Sequence, residues 1–257
     1  MTLPSPRPRR RGPACETSVA GSPGARPPSR LPFVTAAPRL PMLALLVALV
    51  GLVAPASATA ADASTVRDSL THYYVRQDAA AIDRLYRTKA RTREDRLLCL
   101  YRLYPMTLDE RYIAAVPSED GVTSARELAL ISALWAYRAS SGPAWRLPTF
   151  GRRSERILER ALARDPAEPY ALLVRGQGLY YKPGLFGGDM AAAQRTFEQL
   201  RQRVSGRGVP GLHPFEAEVW IWMAVRRQDE SAGAQLRQRL LARNPPSMFR
   251  QFLIDPP

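Results

Sequence analysis

From residue 63 onward, apolar residues recur every three or four positions, and period-two alternation of β-branched residues is nearly absent. That pattern predicts helices and no sheet. Val66, Leu70 and Tyr73-Tyr74 share one helix face, with Ser64 placed to cap it. Asp78 heads a second helix carrying Ile82, Leu85 and Tyr86. A third is expected from about Thr92 to Tyr104, turning Leu97, Leu100, Tyr101 and Tyr104 inward, with Pro105 stopping it. Residues 117–123 read as a linker. Ser124 then caps a helix with Leu128, Ile131, Leu134, Trp135 and Ala139, ending at Gly142-Pro143. Further helices are expected at 151–164, 168–181, 190–204, 215–227 and 230–243, separated by short Pro- and Gly-bearing turns.

The later helices repeat. Leu158, Phe197 and Leu236 open similar segments and stand 39 residues apart in each step. One helix pair cannot bury its apolar face alone, so a fixed period in this range implies stacked pairs sharing a continuous core. The segment from Leu158 through Ala161-Leu162 to Asp165-Pro166 resembles the closing half of a tetratricopeptide repeat (TPR). Tyr170, Gly176 and Tyr180 match the opening of that repeat loosely, and the run from Trp220 to Ala224 more loosely still. The stride exceeds that family's period of about 34 because the turns at 183–188 and 206–214 are long. Pro183-Gly-Leu-Phe-Gly-Gly-Asp189, before a helix with Ala193 and Phe197, is also similar to a pattern in exported bacterial TPR-like proteins. These include the helper subunit of some periplasmic substrate-binding transporters. The resemblance covers about residues 127–245. It implies an all-α fold of antiparallel helix pairs stacked as a short right-handed solenoid. It also implies either a protein-binding scaffold or a small-ligand or lipid-binding accessory subunit of a transport system.

The N-terminal part has a different character. Residues 1–40 hold nine prolines, seven arginines and a single acid, Glu16, too little apolar surface to offset chain entropy. Arg39 then precedes an apolar run over 42–54, shorter than the roughly 20 residues of a spanning helix. Small residues follow, with Ala56-x-Ala58 and Ala58-x-Ala60 both fitting a cleavage rule. Basic flank, apolar centre and small-residue exit together describe a secretory signal. The expected organisation is therefore a Pro/Arg-rich leader over 1–40, a start codon set too far upstream being one account of its length. A signal follows over 41–60, then an N-terminal helical part over 61–123 and TPR-like repeats over 124–257. The mature product is expected to be exported, periplasmic or secreted, without a stable membrane anchor.

Charge changes that picture little. The chain has 37 Lys+Arg against 23 Asp+Glu, a formal charge of +14. Removing the seven arginines and one acid of the leader takes it to +8. Of the 37 bases, 35 are arginine, which reads as base composition rather than a nucleic-acid patch, and no nucleic-acid partner is expected. After cleavage only Cys99 remains, so no internal disulfide is available and stability must come from the core. Two histidines (His72, His213) and one mature cysteine cannot build a His/Cys zinc cage, and no cofactor or metal is expected. The 182–189 loop lacks Gly-Lys-Ser/Thr, which excludes a P-loop. Glu94-Asp95 and Asp109-Glu110 leave an envelope hydrolase as a weaker alternative. The preferred reading is non-catalytic. Aromatics with neighbouring arginines anchor partner surfaces. Tyr170, Arg175, Tyr180, Trp220 and Arg227 are the expected contacts on a concave face, for an envelope protein or peptide or a small acidic or apolar ligand.

Overall fold

A computed structural model describes residues 56–256, with side chains from Thr65 onward except that of Arg207. The leader and the apolar run over 42–54 lie outside the described residues. Ten α-helices follow in order among the described residues: α1 (Ala56–Val75), α2 (Ala79–Thr88), α3 (Arg93–Thr107), α4 (Ala125–Ser141), α5 (Leu147–Arg164), α6 (Pro169–Tyr181), α7 (Met190–Arg207), α8 (Pro214–Gln228), α9 (Glu230–Ala242) and α10 (Ser247–Ile254). The described residues contain no β-strand, and no helix among them is long and apolar enough to cross a membrane.

Local sequence accounts for most boundaries. Asp78 accepts the Ala81 amide at 2.8 Å, Asp189 that of Ala192 at 2.9 Å and Asp229 that of Ala232 at 2.9 Å, satisfying amides that a helix start leaves open. At α3, Thr92 accepts from the Asp95 amide at 3.1 Å, while the Thr92 hydroxyl donates to the Asp95 carboxylate at 2.6 Å. Three expectations need correction. Ser64 lies inside α1 and does not cap it. Pro105 does not stop α3, which runs on to Thr107. The helix closes after Pro105, the Leu108 amide donating to Tyr104 O with Leu108 left-handed at φ 53°. Helix α10, built from Ser247 to Ile254, was not expected at all; Met248, Phe249 and Leu253 bury it.

Helices α4 to α9 form antiparallel neighbours. Ser132 and Ser154 exchange hydroxyl-to-carbonyl bonds of 2.8 Å across α4 and α5. Gly176 of α6 lies so close to α7 that a Cβ there would stand 2.3 Å from the Phe197 ring. The Phe197 and Trp220 rings stack at 5.4 Å between α7 and α8, and the Trp222 indole donates to Gly233 O of α9 at 2.9 Å. Helices α4, α6 and α8 run in one direction. Arg126 at the start of α4 bonds Glu168 just before α6, and Arg227 at the end of α8 covers Tyr180 at the end of α6. Buried positions recur along the return helices: Ser154, Ala193 and Gly233, then Ala161, Leu200 and Leu240, at strides of 39 and 40. Of the expected repeat positions, Phe197 is fully buried, while Leu158 and Leu236 are partly buried.

Helix α3 sets the core. Every residue from Leu97 to Tyr104 is buried, so the helix is enclosed on all sides rather than on one face. It lies against all three parallel helices. Tyr101 stacks on Tyr137 of α4 at 5.8 Å and meets Tyr170 of α6 edge-on at 6.1 Å, while Arg102 reaches Glu216 of α8. The first described helix also meets the last, the Ser247 hydroxyl donating to Val75 O at 3.2 Å.

Candidate partner-binding surface

The interior explains which aromatic residues remain available. Arg102 binds Glu216 through both carboxylate oxygens at 2.8 Å and donates to Gly211 O at 3.0 Å. The Tyr74 ring covers its guanidinium at 3.9 Å. Burial alone would lower the Arg102 pKa, but the adjacent Glu216 carboxylate holds it above the ordinary arginine value. Tyr74, Tyr101, Tyr137 and Tyr170 crowd this pair. Burial raises all four phenols, that of Tyr101 to about 12, so none is available as a proton donor or acceptor near neutrality. Cys99 is fully buried and its thiol is likewise pushed up to about 12.

Tyr170, expected on an open concave face, is fully buried here. Its hydroxyl donates to Pro210 O at 3.3 Å and its ring faces Tyr101 of α3. Tyr101, on the chain's own helix α3, packs against the ring that was assigned to a partner. Arg175 is exposed but lies about 140° around α6 from Tyr180, five residues at about 100° each. The other three come together. Tyr180 and Trp220 meet edge-on at 5.8 Å, and the Arg227 guanidinium lies 4.2 Å from the Tyr180 ring. Tyr180 is itself buried and acts as the floor.

The exposed member is Tyr181, which sequence reading did not choose. It is 60% exposed and meets both Tyr180 (5.0 Å) and Trp220 (5.9 Å) edge-on. Partial burial raises its phenol pKa. Tyr181, half-buried Trp220 and exposed Arg227 thus form an aromatic platform with one cation beside it, supported from below by Phe197 and Tyr180. The signal for Tyr181 was its doublet with Tyr180: two consecutive helical positions differ by about 100°, so one goes inward and the other outward.

The remaining candidates for chemistry are engaged elsewhere. Asp95 pairs with Arg67 at 2.8 Å, and Glu94 with Arg67 and Arg126 at 3.2 Å each. Glu119 is gripped by Arg153 through both oxygens (3.2 and 2.8 Å), and those bonds lower its pKa. Two clefts have volumes of about 510 and 500 Å³. The first is lined by Thr149, Arg152, Glu155, Arg156 and Glu159 of α5. The second lies between α1 and the α7–α8 loop and contains both His72 and His213. His213 caps α8, its Nδ1 accepting the Phe215 amide at 3.1 Å, and burial lowers its pKa. Among the described residues no three His, Cys, Asp or Glu side chains are grouped to hold a metal ion. No protein-family model, curated protein or solved structure matches this chain.

Proposed function

We propose that this chain is an exported, non-catalytic scaffold or adaptor of the bacterial envelope, a short right-handed TPR-like solenoid whose inner face is filled by its own helix α3. Export rests on the basic, apolar and small-residue succession over 39–61. The solenoid reading is supported by parallel α4, α6 and α8 and by buried positions recurring at 39 and 40 residues. The observation that carries the binding role is the platform of Tyr181 and Trp220 with Arg227 alongside. Large aromatics with an adjacent arginine are the residue types that dominate partner recognition. The cation selects a carboxylate-bearing segment, an acidic peptide or protein surface. Pairing of Glu94, Asp95 and Glu119 with arginines favours this over hydrolysis.

The test is capture from envelope extract with the wild-type chain, Tyr181→Ser and Arg227→Glu. Tyr181 is exposed enough for its replacement to leave the helices intact, which far-UV circular dichroism checks. Partners retained by wild type and lost by both variants are the expected result. Partners that bind all three equally would remove the platform from consideration.

A further inference from the structure

The loops after α4 and α6 repeat one another in geometry. Each leaves its helix through a proline in the same extended conformation, Pro143 (φ −57°, ψ 143°) and Pro183 (φ −58°, ψ 148°). Each then makes one 3₁₀ turn, the Arg146 amide donating to Pro143 O at 2.9 Å and the Phe186 amide to Pro183 O at 2.8 Å. Because α4 and α6 run in the same direction, both loops emerge at one end of the helical layer. Lys182 ties the second loop to Glu155 on α5, the helix that follows the first. By contrast α8 passes to α9 through Asp229 alone.

Both turns present apolar side chains to solvent. Trp145 is 71% exposed, Leu147 51%, Leu185 90% and Phe186 69%. The flanking sequence is rich in cations. No acid occurs between Glu127 and Glu155, where Arg138, Arg146, Arg152 and Arg153 do, and none between Glu168 and Asp189, where Arg175 and Lys182 do. Asp189 is engaged as the α7 cap and Glu155 with Lys182, while exposed Arg146 lies 4.6 Å from the Trp145 ring. The exposed side chains stand on two separate turns. A folded partner must offer a matching hollow for each tip. A lipid surface is deformable and accepts them singly, with indole at the headgroup level and guanidinium on phosphate.

We propose that this edge is a docking surface for an anionic lipid membrane. Trp145, Leu147, Leu185 and Phe186 enter the headgroup–acyl boundary, and Arg146 and Arg152 contact lipid phosphates. The inference does not depend on the Tyr181 platform, which uses other residues.

The test uses the full chain and vesicles of phosphatidylcholine with or without about 30% phosphatidylglycerol, both carrying brominated acyl chains. Subtracting the signal of Trp145→Phe isolates Trp145 from Trp135, Trp220 and Trp222, so binding through the N-terminal apolar run cannot mimic the result. Quenching of Trp145 on the anionic vesicles, weakened at about 0.5 M salt, is expected. The Leu185→Ser/Phe186→Ser variant should lose the Trp145 quenching and partition about tenfold more weakly. Vesicle binding without Trp145 quenching overturns the proposal, as does equal quenching on the uncharged vesicles. Gel filtration showing a dimer that the same double variant dissolves would assign the edge to a second copy instead.

Discussion

Arg102 and Glu216 are buried together although 114 positions apart in the chain. Such a pair gains little over an apolar replacement of the same shape, yet removing one member strands the other charge away from water. Arg102→Met is therefore expected to cost about 3–5 kcal/mol in urea unfolding, whereas Arg102→Met/Glu216→Leu recovers most of that loss. His213 supplies a pH effect of definite sign. Burial depresses its folded pKa below the ordinary 6.5, so below that value the unfolded chain binds the extra proton. Stability should fall as pH drops from about 7 to about 5, and protonation at Nδ1 also removes the acceptor for the Phe215 amide. In His213→Asn, which keeps a capping oxygen, the slope of unfolding free energy over that range should flatten. The sequence pointed to Arg102 only obliquely, as a charge inside the apolar run from Leu97 to Tyr104. Nothing local identified Glu216 as its mate, because the pairing is a product of the tertiary fold.

At the level of elements, α6 shows how position overrides propensity. Alanine at an exposed helical site gains about 1 kcal/mol over glycine. Gly178 has only the Lys182 side chain, at 3.9 Å, near a would-be Cβ, so Gly178→Ala should stabilise by about 0.5–1 kcal/mol. At Gly176 the Cβ would stand 2.3 Å from Phe197 Cε1, and overpacking of about 1–3 kcal/mol outweighs the propensity gain. Thermal melts of the two variants should shift in opposite directions. Most helices were legible from their apolar spacing and caps: Asp78, Ser124 and Asp189 do what their positions implied. The errors fell where a local rule met a tertiary fact. Pro105 lies inside α3, two residues before its end, rather than stopping it.

For the whole molecule, the decisive fact is that α3 spans α4, α6 and α8 while α1 meets α10. An open array of repeats unravels from its ends, since each unit touches only its neighbours. Here the N-terminal helices cross-connect the others, so unfolding should be a single transition. Far-UV circular dichroism and tryptophan emission should give coincident melting curves. Two resolved transitions would mean that the cross-connection is weak. This feature also decided how much of the candidate site was readable. The choice of Tyr170 rested on its place on α6, and only knowing where residues 93–107 go could have shown that side chain to be covered. Tyr180, Trp220 and Arg227 were chosen for their places on α6 and α8, and the fold brings these three side chains together.

The long sequence interval between Arg102 and its acidic mate has a temporal meaning. At ribosomal speeds of about 5–20 residues per second, the guanidinium is made on the order of ten seconds before Glu216 exists. Until then its enclosure would leave a bare charge in oil, so α3 is best kept wet. Enclosure of α3 around a satisfied guanidinium thus requires the chain as far as Glu216.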